Sequence, residues 1–148
     1  MTPMEATGSS EARVLLVGGD SALLEGLAQS FAAQGFAPIV APSLHDAREA
    51  AAHDPPLIVV VSRALAASAS AETLSIPLAP GGAFVLYRSV TTALVTLPAS
   101  VQRAVLADLS LPLERNRLMA LVQHVDERAR VTGRGVNDQP SDEATPRG

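Results

Sequence analysis

Three short apolar runs, each followed by a stretch with a different periodicity, constrain this chain more than any other feature. Val14–Val17 ends at Gly18-Gly19. Ala37–Ala41 follows some twenty residues later, and Leu57–Val61 comes after Asp54-Pro55-Pro56. Runs this short, bounded by glycine and proline, predict strands buried on both faces. Between the first two, Leu24, Leu27, Ala28 and Phe31 recur at spacings of three and four and predict one apolar helix face. Asp20 or Ser21 is placed to cap that helix, and Gly35 to end it with the positive φ a C′ residue adopts. Ser43 and Asp46 form a capping-box variant at the start of a second helix that runs to about His53. The order βαβαβ implies an α/β fold with a parallel sheet and right-handed crossovers. Pro38 favours an edge or strand-start position for the second strand.

The middle of the chain is less regular. Ala64–Ala71 reads as a poor helix or a loop, and Thr73–Ala79, with Pro77, as extended. Pro80-Gly81-Gly82 is a turn, Ala83–Arg88 a strand and Ala93–Leu97 another, with Val90-Thr91-Thr92 joining them as a hairpin. An irregular middle with added antiparallel strands is therefore expected. Ala99–Val105 then reads as a short helix, Leu106–Leu111 as a strand, and Leu113 to Arg130 as the last helix, ended by Gly133. Leu118, Leu121, Val122, Val125 and Ala129 form its buried stripe. The low apolar content at both ends predicts disordered tails, 1–11 and 132–148, around one domain at 12–131.

Composition removes whole classes of chemistry. The chain has 148 residues, 47% of them hydrophobic and only 3% aromatic, so its core is aliphatic. It contains no cysteine, which excludes disulfides, thiolate catalysis and thiolate zinc sites. It contains no lysine either: all 11 basic residues are arginine. A Walker-A lysine, a Schiff base and a lysine general base are thereby excluded. The net charge of −4 argues against non-specific nucleic-acid binding. No leader-like segment and no apolar run of the about 18 residues needed to span a bilayer is present, so a cytoplasmic location is expected. His45, His53 and His124 do not stand at metal-ligand spacing, and no Ser/His/Asp set forms around Ser100 and Asp108. No metal, no cofactor and no catalysis are expected.

The stretch RVLLVGGDSALLEGLAQSFAAQGFAPIVAPSLHDAREAAAHDPPLIVVV resembles the first half of bacterial response-regulator receiver domains. LADLSLPLERNRLMALVQHV resembles their last strand, the residue pair after it and the last helix. The resemblance implies a flavodoxin-like (CheY-like) doubly wound parallel sheet of about five strands. In that family two acidic residues after the first strand hold magnesium, and an aspartate at the end of the third accepts the phosphoryl group. A hydroxyl ends the fourth strand, and a lysine precedes a proline after the fifth. Carboxylates suit the hard cation, and the metal and lysine neutralise the transferring phosphoryl group. Here the acidic pair falls on Gly18 and Gly19, with Asp20 one place beyond. The acceptor falls on Val61, or on Ser62 in the other register; the hydroxyl falls near Ser89, and the lysine on Leu111, before Pro112. The pattern implies a pseudo-receiver: a fold retained, its phosphorylation site emptied.

Such a module would act as a protein–protein adaptor or scaffold in a bacterial regulatory pathway. Its candidate face is Arg115, Arg117, Arg128 and Arg130 on the last helix, since arginine suits carboxylate partners and interfaces. A homodimer through that helix is a further option that the resemblance implies. The rival reading is a sensor in which Gly18, Gly19, Asp20, Ser62 and Arg63 line the vacated pocket and hold a small anion or nucleotide. No helix-turn-helix segment follows the core, so direct nucleic-acid binding is not expected.

Overall fold

The computed structural model describes residues 12–89 and 97–144. Five strands form one parallel sheet: β1 (Arg13–Val17), β2 (Ala37–Ala41), β3 (Ile58–Ser62), β4 (Ala83–Ser89) and β5 (Val105–Leu111). Their order across the sheet is β2-β1-β3-β4-β5. The connections are α1 (Ser21–Ala33), α2 (Leu44–His53), the short α3 (Arg63–Ser68) and α4 (Ser70–Leu74), and α5 (Ala99–Ala104); α6 (Arg115–Ala144) closes the fold.

Period-two alternation divides the strand residues between two cores. Val14, Leu16, Ile58, Val60, Val85 and Tyr87 face the helices α1 and α6. There they meet Leu24, Leu27 and Phe31 of α1 and Leu118, Met119, Val122 and Val125 of α6. Leu15, Val17, Val59, Val61 and Leu86 face the other way, onto Leu44, Ala47, Ala51, Ala66, Ile76 and Val101. Burial on both faces is why β1 and β3 read as unbroken apolar runs, whereas β2, on the sheet edge, is fully buried only at Ala41.

Local signals behave as expected at both ends of the first helices. Gly35 follows α1 at φ +91°. The Ser43 hydroxyl accepts a hydrogen bond from the Asp46 amide at 3.2 Å and caps α2. Pro38 lies on the edge strand β2.

Three expectations are corrected. Thr73 and Leu74 are helical, not extended. The Thr73 hydroxyl donates to the Ala69 carbonyl at 2.9 Å and its side chain is buried, so packing overrides the low helix propensity of a β-branched residue. All strand pairing among the described residues is parallel, so the antiparallel additions expected in the middle are not found there. The α3–α4 crossover returns the chain to β4 in the direction of β3. The expected hairpin turn and most of Ala93–Leu97 lie in 90–96, outside the described residues; Leu97 is buried ahead of α5 but in no strand. The last helix also runs through Gly133. A lone glycine costs a helix about 1 kcal/mol relative to alanine and does not by itself stop one.

One irregularity matters below. Val105 lies opposite Phe84 and Ala107 opposite Val85, so Leu106 has no partner on β4. This β-bulge on the sheet edge turns a leucine outward, 50% exposed.

Candidate functional site

In this strand order the connection from β1 goes one way to β2 and the next goes the other way to β3. The crevice at the carboxyl ends of β1 and β3 is therefore the topological switch point, where open α/β sheets bind ligands. Gly18, Asp20 and Ser62 are at that end. The side chain that occupies it is Tyr87, the chain's only tyrosine.

Tyr87 stands on β4 directly opposite Ser62 and is 1% exposed. Its hydroxyl lies where a side chain at position 18 would begin: a Cβ built on Gly18 comes within 2.1 Å of Tyr87 Oη and 3.2 Å of Cζ. Contacts under 3 Å do not occur for real Cβ atoms, so the glycine is required by the tyrosine above it. Gly19 differs: a Cβ there meets nothing within 4 Å. The Tyr87 hydroxyl donates to Asp20 Oδ2 at 3.1 Å. Burial first, then the neighbouring Asp20 carboxylate, push the phenol well above its usual range, so it remains a protonated donor. Asp20 occupies the N-cap position of α1, but its side chain makes no capping bond. Its carboxylate holds Tyr87 instead, which corrects the capping role expected of it.

The other positions that the resemblance singles out are filled by apolar packing or by other partners. Val61 is fully buried in the second core, level with Val17, and faces away from the crevice. Ser62 is half-buried, with its Cβ 3.5 Å from the Gly18 Cβ position. Ser89 ends β4 opposite Leu111, two residues beyond Tyr87, and Leu111 is fully buried in the first core. The structure thus brings Gly18, Asp20 and Ser62 together around Tyr87. Ser89 and Leu111 pair with each other at the ends of β4 and β5.

Arg63 follows β3 and turns to Asp108 of β5, forming an ion pair with its Oδ2. Arg88 of β4 approaches Oδ1 of the same carboxylate at 3.4 Å. One half-buried aspartate in the middle of β5 therefore ties that strand to the carboxyl ends of β3 and β4. Asp108→Ala leaves two guanidinium groups without this partner and is expected to cost about 1–3 kcal/mol, the usual penalty for stranding partly buried donors. A urea titration checks this, and an unchanged midpoint would show that Asp108 is not what holds the two guanidinium groups.

The residues present do not fit the magnesium site of receivers. Gly18 and Gly19 offer no side-chain oxygen, and Asp20 is engaged by Tyr87. Among the described residues no group of three or more His, Cys, Asp or Glu side chains can hold a metal ion. No described helix is long and apolar enough to cross a membrane.

On the opposite side of the first core, Arg115, Arg117 and Arg128 are exposed along α6. Arg117 bonds Glu114 at 2.7 Å, and Arg130 pairs with Asp126 at 3.2 Å. Glu114 also accepts from the Ser110 amide at 2.7 Å; that bond, and then Arg117, hold its carboxyl below the usual range.

No protein-family model matches the sequence, nor does any curated protein. Solved structures match the fold. A response regulator receiver domain (CheY-like) from Methylobacillus flagellatus superposes with a TM-score of 0.62 at 16% identity, covering 78% of this chain and 98% of that one. A second CheY-like receiver domain, from Methanospirillum hungatei, gives 0.60 at 18% identity over 81% of this chain and 98% of its own. NtrX from Brucella abortus in complex with ADP gives 0.66 at 17% identity, covering 87% of this chain but only 29% of NtrX. The five-stranded parallel sheet in the order β2-β1-β3-β4-β5, with helices on both faces, is thus the fold of response-regulator receiver domains.

Proposed function

We propose that this protein is a receiver-type signalling module without aspartyl-phosphorylation chemistry, which acts by holding a partner protein on the exposed side of α6. The observation that carries the reading is the plugged crevice: Tyr87 Oη fills the space above Gly18 and is bonded to Asp20. Metal binding needs more carboxylate oxygens than the single group, Asp20, that the β1 end supplies. Phosphoryl transfer needs a cation beside the acceptor, and the chain has no lysine. The position of the acceptor is taken by a core valine. What remains for the module to offer is surface, and the exposed arginines of α6 suit an acidic partner. The sensor reading loses support because two of its groups are engaged, Asp20 by Tyr87 and Arg63 by Asp108.

The test is an amide NMR spectrum recorded with magnesium and beryllofluoride, together with a mass spectrum after acetyl phosphate. Neither reagent is expected to change the protein. Beryllofluoride-induced shifts at Gly18 and Ser62, or a stable phosphoryl adduct, would end this reading. A matched pull-down with the Arg115→Glu, Arg128→Glu double variant should lose the partner that the wild type retains.

A further inference from the structure

Three shallow cavities run together along one side of α6, with volumes of about 330, 390 and 410 Å³. His124 lines all three. The bulged Leu106 forms part of the wall of two, and the groove continues to Val131, which is 63% exposed. Along its α6 wall Arg117, Leu121, His124, Arg128 and Val131 stand at spacings of four, three, four and three residues, with Ala120, Val125, Glu127 and Ala129 beside them. A second helix lying alongside the first meets residues at this spacing, because alternate steps of three and four keep one seam facing a neighbour. Two exposed apolar residues, Leu106 and Val131, stand in the same groove, and large apolar side chains left out in one place mark an interaction surface.

The shape and charge of the groove choose its occupant. Strand addition to β5 is disfavoured, because the bulge at Leu106 interrupts the edge ladder an incoming strand would extend. The groove carries Arg117 and Arg128 against one carboxylate, Glu127. Arg128 makes no ion pair among the described residues, whereas Arg117 already has Glu114. We infer that this groove receives an amphipathic helix of a partner protein, with its apolar stripe on Leu106, Leu121 and Val131 and acidic residues over Arg117 and Arg128. The inference rests on the adaptor reading and names the partner's form and charge.

The experiment uses the full chain and two synthetic helices with the same leucine stripe, one flanked by glutamate and one by lysine. Binding is read by fluorescence anisotropy at low salt. The glutamate helix is expected to bind at least about tenfold more tightly than the lysine helix, since charge complementarity discriminates between otherwise equal partners. Arg128→Glu is expected to narrow or invert that preference, and Leu106→Ala to weaken both helices. Circular dichroism of each variant separates loss of binding from loss of fold. Equal affinity for the two helices, no binding of either, or indifference to both variants would overturn the inference. Sedimentation showing a dimer that Leu106→Ala dissolves would overturn it too, by giving the groove to a second copy. If neither helix binds while beryllofluoride stays inert and the double variant still loses its partner, the adaptor reading survives alone. Uptake of beryllofluoride removes the adaptor reading, whatever the helices do.

Discussion

Gly18→Ala is expected to lose about 1–3 kcal/mol of folding stability, the usual cost of forcing extra volume into a packed site, and Tyr87→Phe in the same chain to recover much of it. The added methyl meets the tyrosine oxygen at 2.1 Å, and the ring behind that oxygen is buried, so the hydroxyl cannot swing into water. Phenylalanine removes the clashing atom. The nearest remaining contact, Cζ at 3.2 Å, is tight but calls for a shift of only tenths of an ångström. Tyr87→Phe alone forfeits the bond to Asp20, worth about 0.5–1.5 kcal/mol net because the exposed carboxylate regains water. The two changes together should therefore cost less than the sum of their separate effects, which a double-mutant cycle on urea midpoints measures directly. Gly19→Ala is the control: nothing lies near it and its φ is not positive, so a change within about 0.5 kcal/mol is expected. Additive behaviour of Gly18→Ala and Tyr87→Phe would show that the tyrosine does not occupy the crevice.

Val61→Asp, which puts a carboxylate where the receiver resemblance places the acceptor, is expected to be the most damaging single change, at about 4 kcal/mol or more. An unpaired carboxylate in an apolar core belongs to the small class of substitutions that reach this size. Val61 is fully buried among Val17, Val59 and Leu86, none of which can donate a hydrogen bond from its side chain. Against a total stability of about 5–15 kcal/mol for a domain, such a loss leaves the fold marginal. Ser62→Asp places the same group at the half-buried crevice and should be tolerated far better. Thermal melts followed by circular dichroism compare the two. A Val61→Asp protein that melts with the wild type would mean that Val61 faces the crevice, and the account of an apolar replacement would fail. Neither variant is expected to take a phosphoryl group from acetyl phosphate, because the paired carboxylates and the lysine are still missing.

The first half of the fold was legible because its signals are local. Gly35 and the Ser43–Asp46 cap sit within four residues of the helix ends they define, and both behave as expected. The alternation that assigns Val61 to one core and Ser62 to the crevice end follows from the strand alone. Residues 63–74 were legible only in part: Ala64–Ala71 left helix and loop both open, and Thr73 becomes helical by packing on the sheet, which no window of neighbours records. The occupant of the crevice was harder still. Tyr87 and Asp20 are 67 residues apart, and Arg63 and Asp108 are 45 apart; both contacts depend on the register of β3 with β4 and of β4 with β5. The available signal was modest: the only tyrosine of a chain poor in aromatics stands on a strand beside the one that ends in Ser62. The bulge at Leu106 left no mark in the sequence.

The contact between Tyr87 and Gly18 also gives the two positions an order in time. A lineage that first places a carboxylate at 18 meets the tyrosine oxygen and passes through a weakened protein. One that first exchanges Tyr87 for a smaller residue opens room, and only then does an acid at 18 become affordable. Placing an acid at 18 in this sequence is therefore gated by position 87, and screens that vary 18 alone should return glycine.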